Sequence, residues 1–326
     1  MPLTTPAGAP VGRIGFGCFA LSGGYGSAEG VDAGRIIRAA HDLGINLLDT
    51  SDAYGAGQNE VLVGAAIAGI RDEVFLTTKF GWVLDAAGVP VRRDSSPAHV
   101  RKACEYSLRR LATDHIDLYL QHRRDPDTPV EATVGELVRL QDEGKIRGFG
   151  FCEVGEQTLV RASALRQVTA LQTEYSLWSR DPERELLPLC ARLGIQFMAY
   201  SPLGRGFLTG AIRTTADLAP DDFRRTHPRF QEENLRANLK HVDRLAALAG
   251  ERGATVAQLA LAWVLGQPWG VLPVVATRTV AHLAENARAL EIELDAGALA
   301  QIAAAVPAAD IHGERHPAEH MKTIEK

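Results

Sequence analysis

Cysteine is scarce in this chain. Cys18, Cys104, Cys152 and Cys190 are spread along the sequence with no CxxC pair among them. That excludes a disulfide framework or a zinc knuckle as the organising element and points to a reducing compartment, the cytoplasm. Long apolar runs are also missing. The richest stretch, Val256–Gly266, is interrupted by Gln258, short of the roughly 18 apolar residues a membrane-spanning helix needs. Met1–Gly12 lacks the apolar centre of a secretory signal. Positive charge is not in excess, since 35 Lys and Arg against 40 Asp and Glu leave a net charge of −5. A nucleic-acid or acidic-membrane partner would call for a basic face, so neither is expected. No low-complexity or Pro/Gly/Ser-rich linker divides the 326 residues, and one domain over 1–326 is expected. With 46% hydrophobic and 23% charged residues, the chain has the composition of an ordinary globular protein.

What is present is a repeating beat. Short apolar, β-rich runs occur at Ile14–Phe19, Asn46–Asp49, Val74–Lys79, Ile116–His122, Ile146–Cys152, Val168–Thr173, Ile195–Ser201 and Val271–Val275. Helical spacing fills the intervals: Ala33–Leu43, Gln58–Ala68, Pro97–Leu111, Val130–Glu143, Glu156–Leu165, Arg184–Leu193, Leu239–Leu265 and Val280–Leu290. Ser96-Pro97 reads as a helix start, and Gly44, Gly144 and Gly194 as helix stops. Strand–helix alternation with uniformly apolar strands predicts parallel βαβ units. Eight of them predict an α/β fold, the (β/α)8 TIM barrel, with a doubly wound open sheet as the competitor. One segment, 204–238, loses the periodicity, and a long irregular connection of this kind is expected to cover a cofactor or substrate.

In a barrel, chemistry collects at the C-terminal ends of the strands. The second predicted strand ends in Asp49 and leads into Thr50-Ser51-Asp52-Ala53-Tyr54-Gly55; the third ends in Lys79, the fourth in His122, the sixth in Gln172, the seventh in Tyr200-Ser201. A carboxylate, a phenol, an ammonium and an imidazole thus share one rim. A phenol is a poor proton donor at neutral pH. A nearby ammonium favours the phenolate, a carboxylate holds the ammonium, and an imidazole can orient a substrate oxygen. The set suits protonation of an oxygen as negative charge develops on it. Singly, Asp49 could cap a turn, Tyr54 anchor a Gly-rich loop and His122 be structural; their joint placement at neighbouring strand ends carries the reading.

Asp49 to Gly55, then Thr78-Lys79-Phe80-Gly81, then Asp117 to Arg123 resemble the aldo-keto reductase family, and the similarity runs from Ile14 to Asn286. The resemblance implies a barrel that binds NADPH, with NADH as the alternative, in extended form. It implies reduction of an aldehyde or ketone to an alcohol, with Tyr54 as general acid, Lys79 lowering its pKa, Asp49 pairing with Lys79, and His122 orienting the carbonyl. Retention of His122 argues for C=O over C=C reduction. Gln172 to Trp178 resembles the family's sixth-strand motif, whose glutamine holds the carboxamide. Tyr200-Ser201-Pro202-Leu203-Gly204-Arg205-Gly206 resembles the segment that stacks on the nicotinamide and wraps the pyrophosphate, which suits Gly-rich backbone N–H groups. Thr277, Arg278, His282, Glu285 and Asn286 resemble the adenosine 2′-phosphate site.

Three positions depart from the pattern. Cys152, followed by Glu153, stands where family members mostly carry serine before Asn or Glu, and a thiol grips the carboxamide more weakly than a hydroxyl. Thr279 and His282 replace cations that relatives carry, which leaves Arg278 to favour NADPH. Phe19, Tyr25, Trp82 and Trp178 are candidates for the substrate wall, with Arg224, Arg225 and Arg229 in the segment Asp221–Phe230 facing the phosphates or an anionic substrate. The partner is thus a small carbonyl compound. A keto-sugar or nucleotide-sugar reductase and a non-catalytic cofactor-binding regulatory subunit are the alternatives, and a metal-dependent barrel hydrolase would need more strand-end ligands than Asp49 and His122. No metal is expected, and the sequence sets no oligomeric state.

Overall fold

The computed structural model describes residues 3–325. Its strands are β1 (Gly15–Gly17), β2 (Leu47–Asp49), β3 (Phe75–Phe80), β4 (Trp82–Leu84), β5 (Pro90–Arg93), β6 (Ile116–Gln121), β7 (Ile146–Cys152), β8 (Ala170–Glu174), β9 (Gln196–Tyr200) and β10 (Leu272–Val275). Eight of them close into a barrel in the order β1-β10-β9-β8-β7-β6-β3-β2. β1 pairs in parallel with both β2 and β10, so the sheet has no edge, and the open-sheet alternative is eliminated. β4 and β5 form a separate antiparallel hairpin, a feature the apolar beat did not reveal because both strands lie outside the core.

Helices α1 (Ala33–Asp42), α2 (Gln58–Ile67), α3 (Pro97–Leu111), α4 (Val130–Asp142), α5 (Glu156–Leu165), α6 (Leu186–Leu193), α7 (Glu232–Glu251), α8 (Val256–Leu265) and α9 (Val280–Ala287) surround the barrel. Ser96 caps α3 by accepting from the His99 N–H, with Pro97 in the first turn, and Gly194 ends α6 in the left-handed conformation. The expected helix over 239–265 is two helices. Gly253, at φ 63°, breaks it, and Thr255 starts the second with a reciprocal pair: its hydroxyl accepts from the Gln258 N–H at 3.2 Å while its own N–H donates to Gln258 Oε1 at 3.0 Å. The irregular segment is a chain of short 3-10 turns from Gly204 to Phe230, and α7 begins at Glu232.

Two apolar layers result. Outward-facing strand residues pack under the helices. Inside the barrel Leu47, Phe75, Leu118, Leu120, Cys152, Ala170, Met198, Leu272 and Val274 fill the lumen. After α10 (Ala296–Ala305) the chain turns back across the barrel mouth through α11 (Ala318–Met321). Asn238 donates to the His312 carbonyl, Arg315 forks onto Glu153 at 2.8 and 2.9 Å, and Arg124 pairs with Glu325 at 2.9 Å.

Candidate active site

Strand alternation builds the site. Side chains two residues apart share a face, so each lumen residue names the one above it. Leu47 leads to Asp49, Leu120 to His122, Ala170 to Gln172, Met198 to Tyr200, and Phe75 through Thr77 to Lys79. These side chains end in one layer at the C-terminal rim. Tyr54 joins them from the loop after β2, where Gly55, Ala56 and Gly57 all take positive φ and turn the chain sharply into α2. The first turn of α2 secures that loop from below. Asn59 accepts from the Thr50 hydroxyl at 2.6 Å and donates to the Cys18 carbonyl and Ser22 hydroxyl at 2.8 Å. Glu60 accepts from Thr78 and from Arg110, both at 2.6 Å.

Lys79 is completely buried. Its ammonium donates to Asp49 Oδ2 at 2.6 Å, to the Thr50 carbonyl at 2.7 Å and to the Tyr54 hydroxyl at 3.3 Å. The second Asp49 oxygen accepts from Gln172 Nε2 at 2.9 Å. Burial works most strongly against the Lys79 charge, but the Asp49 carboxylate, Tyr54 and Cys152 together outweigh it and hold the lysine pKa above its ordinary value. Lys79 lowers the Tyr54 phenol pKa, as expected, but it does not set the balance. Burial dominates, Lys79 opposes it only in part, and the phenol is pushed up to about 12. Tyr54 is therefore a protonated phenol throughout the neutral range.

His122 closes the group, with its ring 5.8 Å from that of Tyr54. Burial first, then Arg123 and Lys79, hold its pKa well below the usual histidine value, so the ring is neutral. Its Nδ1 lies 3.2 Å from the Ser51 hydroxyl, which also sits 3.2 Å from Asp52. Burial and then Glu60 push the Asp52 carboxyl up to about 8, while the Ser51 hydroxyl donates to its Oδ1. The Ser51 contact holds the ring through Nδ1, and Nε2 has no hydrogen-bond partner among the described residues.

Above these groups opens a cavity of about 790 Å³, with Asp49, Tyr54, His122 and Gln172 at one end and Thr277, Arg278, His282, Glu285 and Asn286 at the other. Tyr200, Ser201, Leu203, Arg205 and Gly206 form the wall between. Gly204 lies just behind it, at φ 56°, where a Cβ would come within 2.5 Å of the Trp178 indole nitrogen; only glycine fits. Thr279 caps α9 by accepting from the His282 N–H, and Arg278 donates to the Ser27 carbonyl at 2.7 Å with no acid partner among the described residues. The Tyr200 ring beside Gln172, a wall of left-handed backbone and a lone guanidinium at a helix start form a donor set that fits an extended dinucleotide.

Not every candidate reaches the cavity. Phe19, Tyr25 and Trp82 line it, and Phe19 packs edge-on against Tyr25, Tyr54 and Phe223. Trp178 does not line it; the ring is buried and stacked on Phe207 at 4.3 Å beneath the irregular segment. Glu153 also points elsewhere, held by Arg315 and the backbone N–H of Glu174. Cys152 sits below Gln172, its sulfur 3.8 Å from Oε1, and burial pushes its thiol up to about 12. Arg205 turns its guanidinium onto buried Glu174 at 2.6 Å, and Arg224 lines the cavity while pairing with Asp222. Arg225 bonds the Thr215 and Leu218 carbonyls and Arg229 bonds Ser179, so neither is turned to the cavity.

The structure adds residues that the strand beat could not supply. His316, His320 and Thr323, from the returning C-terminal segment, line the mouth, and His316 Nε2 lies 3.2 Å from the Tyr200 hydroxyl. No periodicity links them to the barrel. Arg123, also in the wall, directly follows His122 and was open to the same strand-end argument.

Comparison with known proteins places this architecture. The Aldo/keto reductase family model matches residues 13–307. A soybean (Glycine max) protein called probable aldo-keto reductase 1 is 43% identical over 312 residues, covering 95% of this chain and 89% of that protein. A glycerol dehydrogenase from Gluconobacter oxydans superposes with a TM-score of 0.82 at 31% identity, covering 94% of this chain and 96% of the other. An aldo/keto reductase from Klebsiella pneumoniae, solved with NADP and acetate, superposes at 0.75 with 33% identity over 97% and 98% of the two chains. With the family model spanning nearly the whole chain and the barrel shared, this protein belongs to the aldo/keto reductase family.

Proposed function

We propose that the protein is an NADPH-dependent reductase of aldehydes or ketones in which Tyr54 delivers the proton. The observation that carries this reading is the buried bridge of Lys79 between Asp49 and the Tyr54 hydroxyl, under a cavity that neutral His122 also faces. The NADP-bound Klebsiella relative supports the choice of cofactor. When bound, reduced nicotinamide supplies the hydride.

The chain's own groups do the rest. Tyr54 donates its O–H to the carbonyl oxygen as charge builds there, and Lys79 stabilises the phenolate left behind. Asp49 fixes Lys79 so that the ammonium cannot withdraw. His122 donates from Nε2 to the same oxygen and sets the carbonyl's direction. Phe19, Trp82 and Tyr54 shield the reacting end from water. Gln172 has one amide hydrogen on Asp49 and a second left for a carboxamide. Thr277, Arg278 and Asn286 would hold the adenosine end. Four free, buried cysteines support a reducing compartment such as the cytoplasm.

The test is consumption of NADPH on addition of a neutral aldehyde, with alcohol formed in equal amount and a chelator without effect. Consumption without alcohol, or dependence on added metal, would overturn the reading.

A further inference from the structure

We propose that the substrate carries an anionic group, a carboxylate or phosphate close to its carbonyl, and that Arg123 is its seat; this rests on the reductase reading above. Arg123, Arg205, Arg224 and Arg278 line the cavity. Arg205 and Arg224 are neutralised in place, by Glu174 at 2.6 Å and Asp222 at 2.5 Å. Among the described residues Arg123 and Arg278 have no acid within ion-pair distance. Arg278 bonds only the Ser27 carbonyl, and Arg123 only the carbonyl of His122, at 2.6 Å. Even Arg124, the next residue in the chain, has Glu325.

The two unpaired cations occupy opposite ends. Arg278 sits beside Thr277, His282 and Asn286, where a nucleotide phosphate fits. Arg123 follows β6 and stands beside His122, at the reacting end. The residues suited to a dinucleotide follow β8, β9 and β10, and β7 separates these strands from β6. A cofactor laid along them leaves Arg123 on the substrate side. The groups around it do not cancel its charge. Arg123 acts on His122, Tyr200, His316 and His320, and burial keeps all three histidines below their ordinary pKa and hence neutral. A half-buried guanidinium in a partly enclosed wall, lacking a carboxylate of its own, is completed by a ligand that brings one. Its planar fork matches carboxylate and phosphate alike, and one N–H on the His122 carbonyl leaves the others available.

The experiment uses the whole protein with NADPH and two matched pairs of substrates: succinic semialdehyde with its methyl ester, and glyceraldehyde 3-phosphate with glyceraldehyde. In Arg123→Gln, kcat/KM for at least one charged member should fall by roughly ten- to a hundredfold, the range a charge-assisted pair supplies, while the neutral members change by less than about threefold. Which charged member falls distinguishes carboxylate from phosphate. Arg123→Lys should recover part of the loss, as a charge without the fork. Equal losses for charged and neutral substrates, or no loss, would overturn the proposal. Succinate and inorganic phosphate titrated into the NADPH complex give a readout without turnover. Binding of either that weakens in Arg123→Gln supports the seat even if no carbonyl is reduced, in which case the reductase reading alone fails. Turnover of neutral aldehydes with no preference for charge, and no anion binding, would leave the reductase and remove the seat.

Discussion

Replacing Lys79 with methionine should cost stability and activity together, and the two losses can be separated. The ammonium has no solvent exposure and three oxygen partners. Methionine removes the charge while nearly preserving the stem's volume, so the cavity term is small and the electrostatic term dominates. Asp49, only 4% exposed, keeps one strong partner, the Gln172 amide at 2.9 Å. Breaking one side of a buried ion pair costs about 3–5 kcal/mol, because the surviving charge stays buried and unpaired. Asp49→Asn in the same chain removes that charge and keeps an acceptor for Gln172, so the double variant should regain most of the loss. The assay is urea unfolding of the wild type, both single variants and the double variant, with NADPH-dependent turnover measured on each. The expected pattern is a coupling energy above about 2 kcal/mol, with activity abolished wherever Lys79 is missing. A Lys79→Met protein as stable as wild type, or a double variant less stable than Lys79→Met, would mean that the buried pair does not stabilise the fold.

Further expectations follow from the same geometry. Arg278→Leu should weaken NADPH by about tenfold and NADH little, since only the former brings a 2′-phosphate to that guanidinium; equal weakening in parallel fluorescence titrations would contradict this. Ser51→Ala removes the contact to His122 Nδ1 and should lower kcat about three- to tenfold, the worth of a single hydrogen bond, with 15N spectra of His122 showing mixed ring tautomers; an unchanged tautomer would oppose it. Reduction should show no loss of rate from a Tyr54 titration near neutral pH, because burial pushes that phenol up to about 12. Acid stability should begin to fall below about pH 6.5. Burial holds His227 down to about 4, so between these values the unfolded chain binds a proton that the folded one refuses, and stability drops as pH falls. A flat unfolding midpoint across that window would contradict it.

The barrel was legible because the barrel strands begin as apolar runs set at regular intervals between helical segments, and because the glycines after α1, α4 and α6 mark helix ends. The candidate site was legible for a related reason. Strand parity sends Asp49, Lys79, His122, Gln172 and Tyr200 to one rim, so reading strand ends suffices. What escaped has no such parity. His316, His320 and Thr323 reach the mouth because Arg315 and Glu325 tie a late segment to the loop after β7, a contact decided by tertiary packing. Trp178 shares its stretch of sequence with Gln172, yet it lies under Phe207 and Gly204 because the irregular segment folds over it. The balance at Tyr54 was not legible either: proximity to Lys79 could be inferred, but the depth of burial that outweighs it could not.

Proton delivery by Tyr54 can be isolated in a single turnover. Wild type and Tyr54→Phe, each loaded with NADPH, are mixed with a neutral aldehyde, and the decay of the reduced nicotinamide is followed. The expected result is NADPH affinity within about threefold of wild type and hydride transfer slowed by about 10²–10⁴-fold. Transfer at the wild-type rate in Tyr54→Phe, with the cofactor bound, would remove Tyr54 from the role of proton donor.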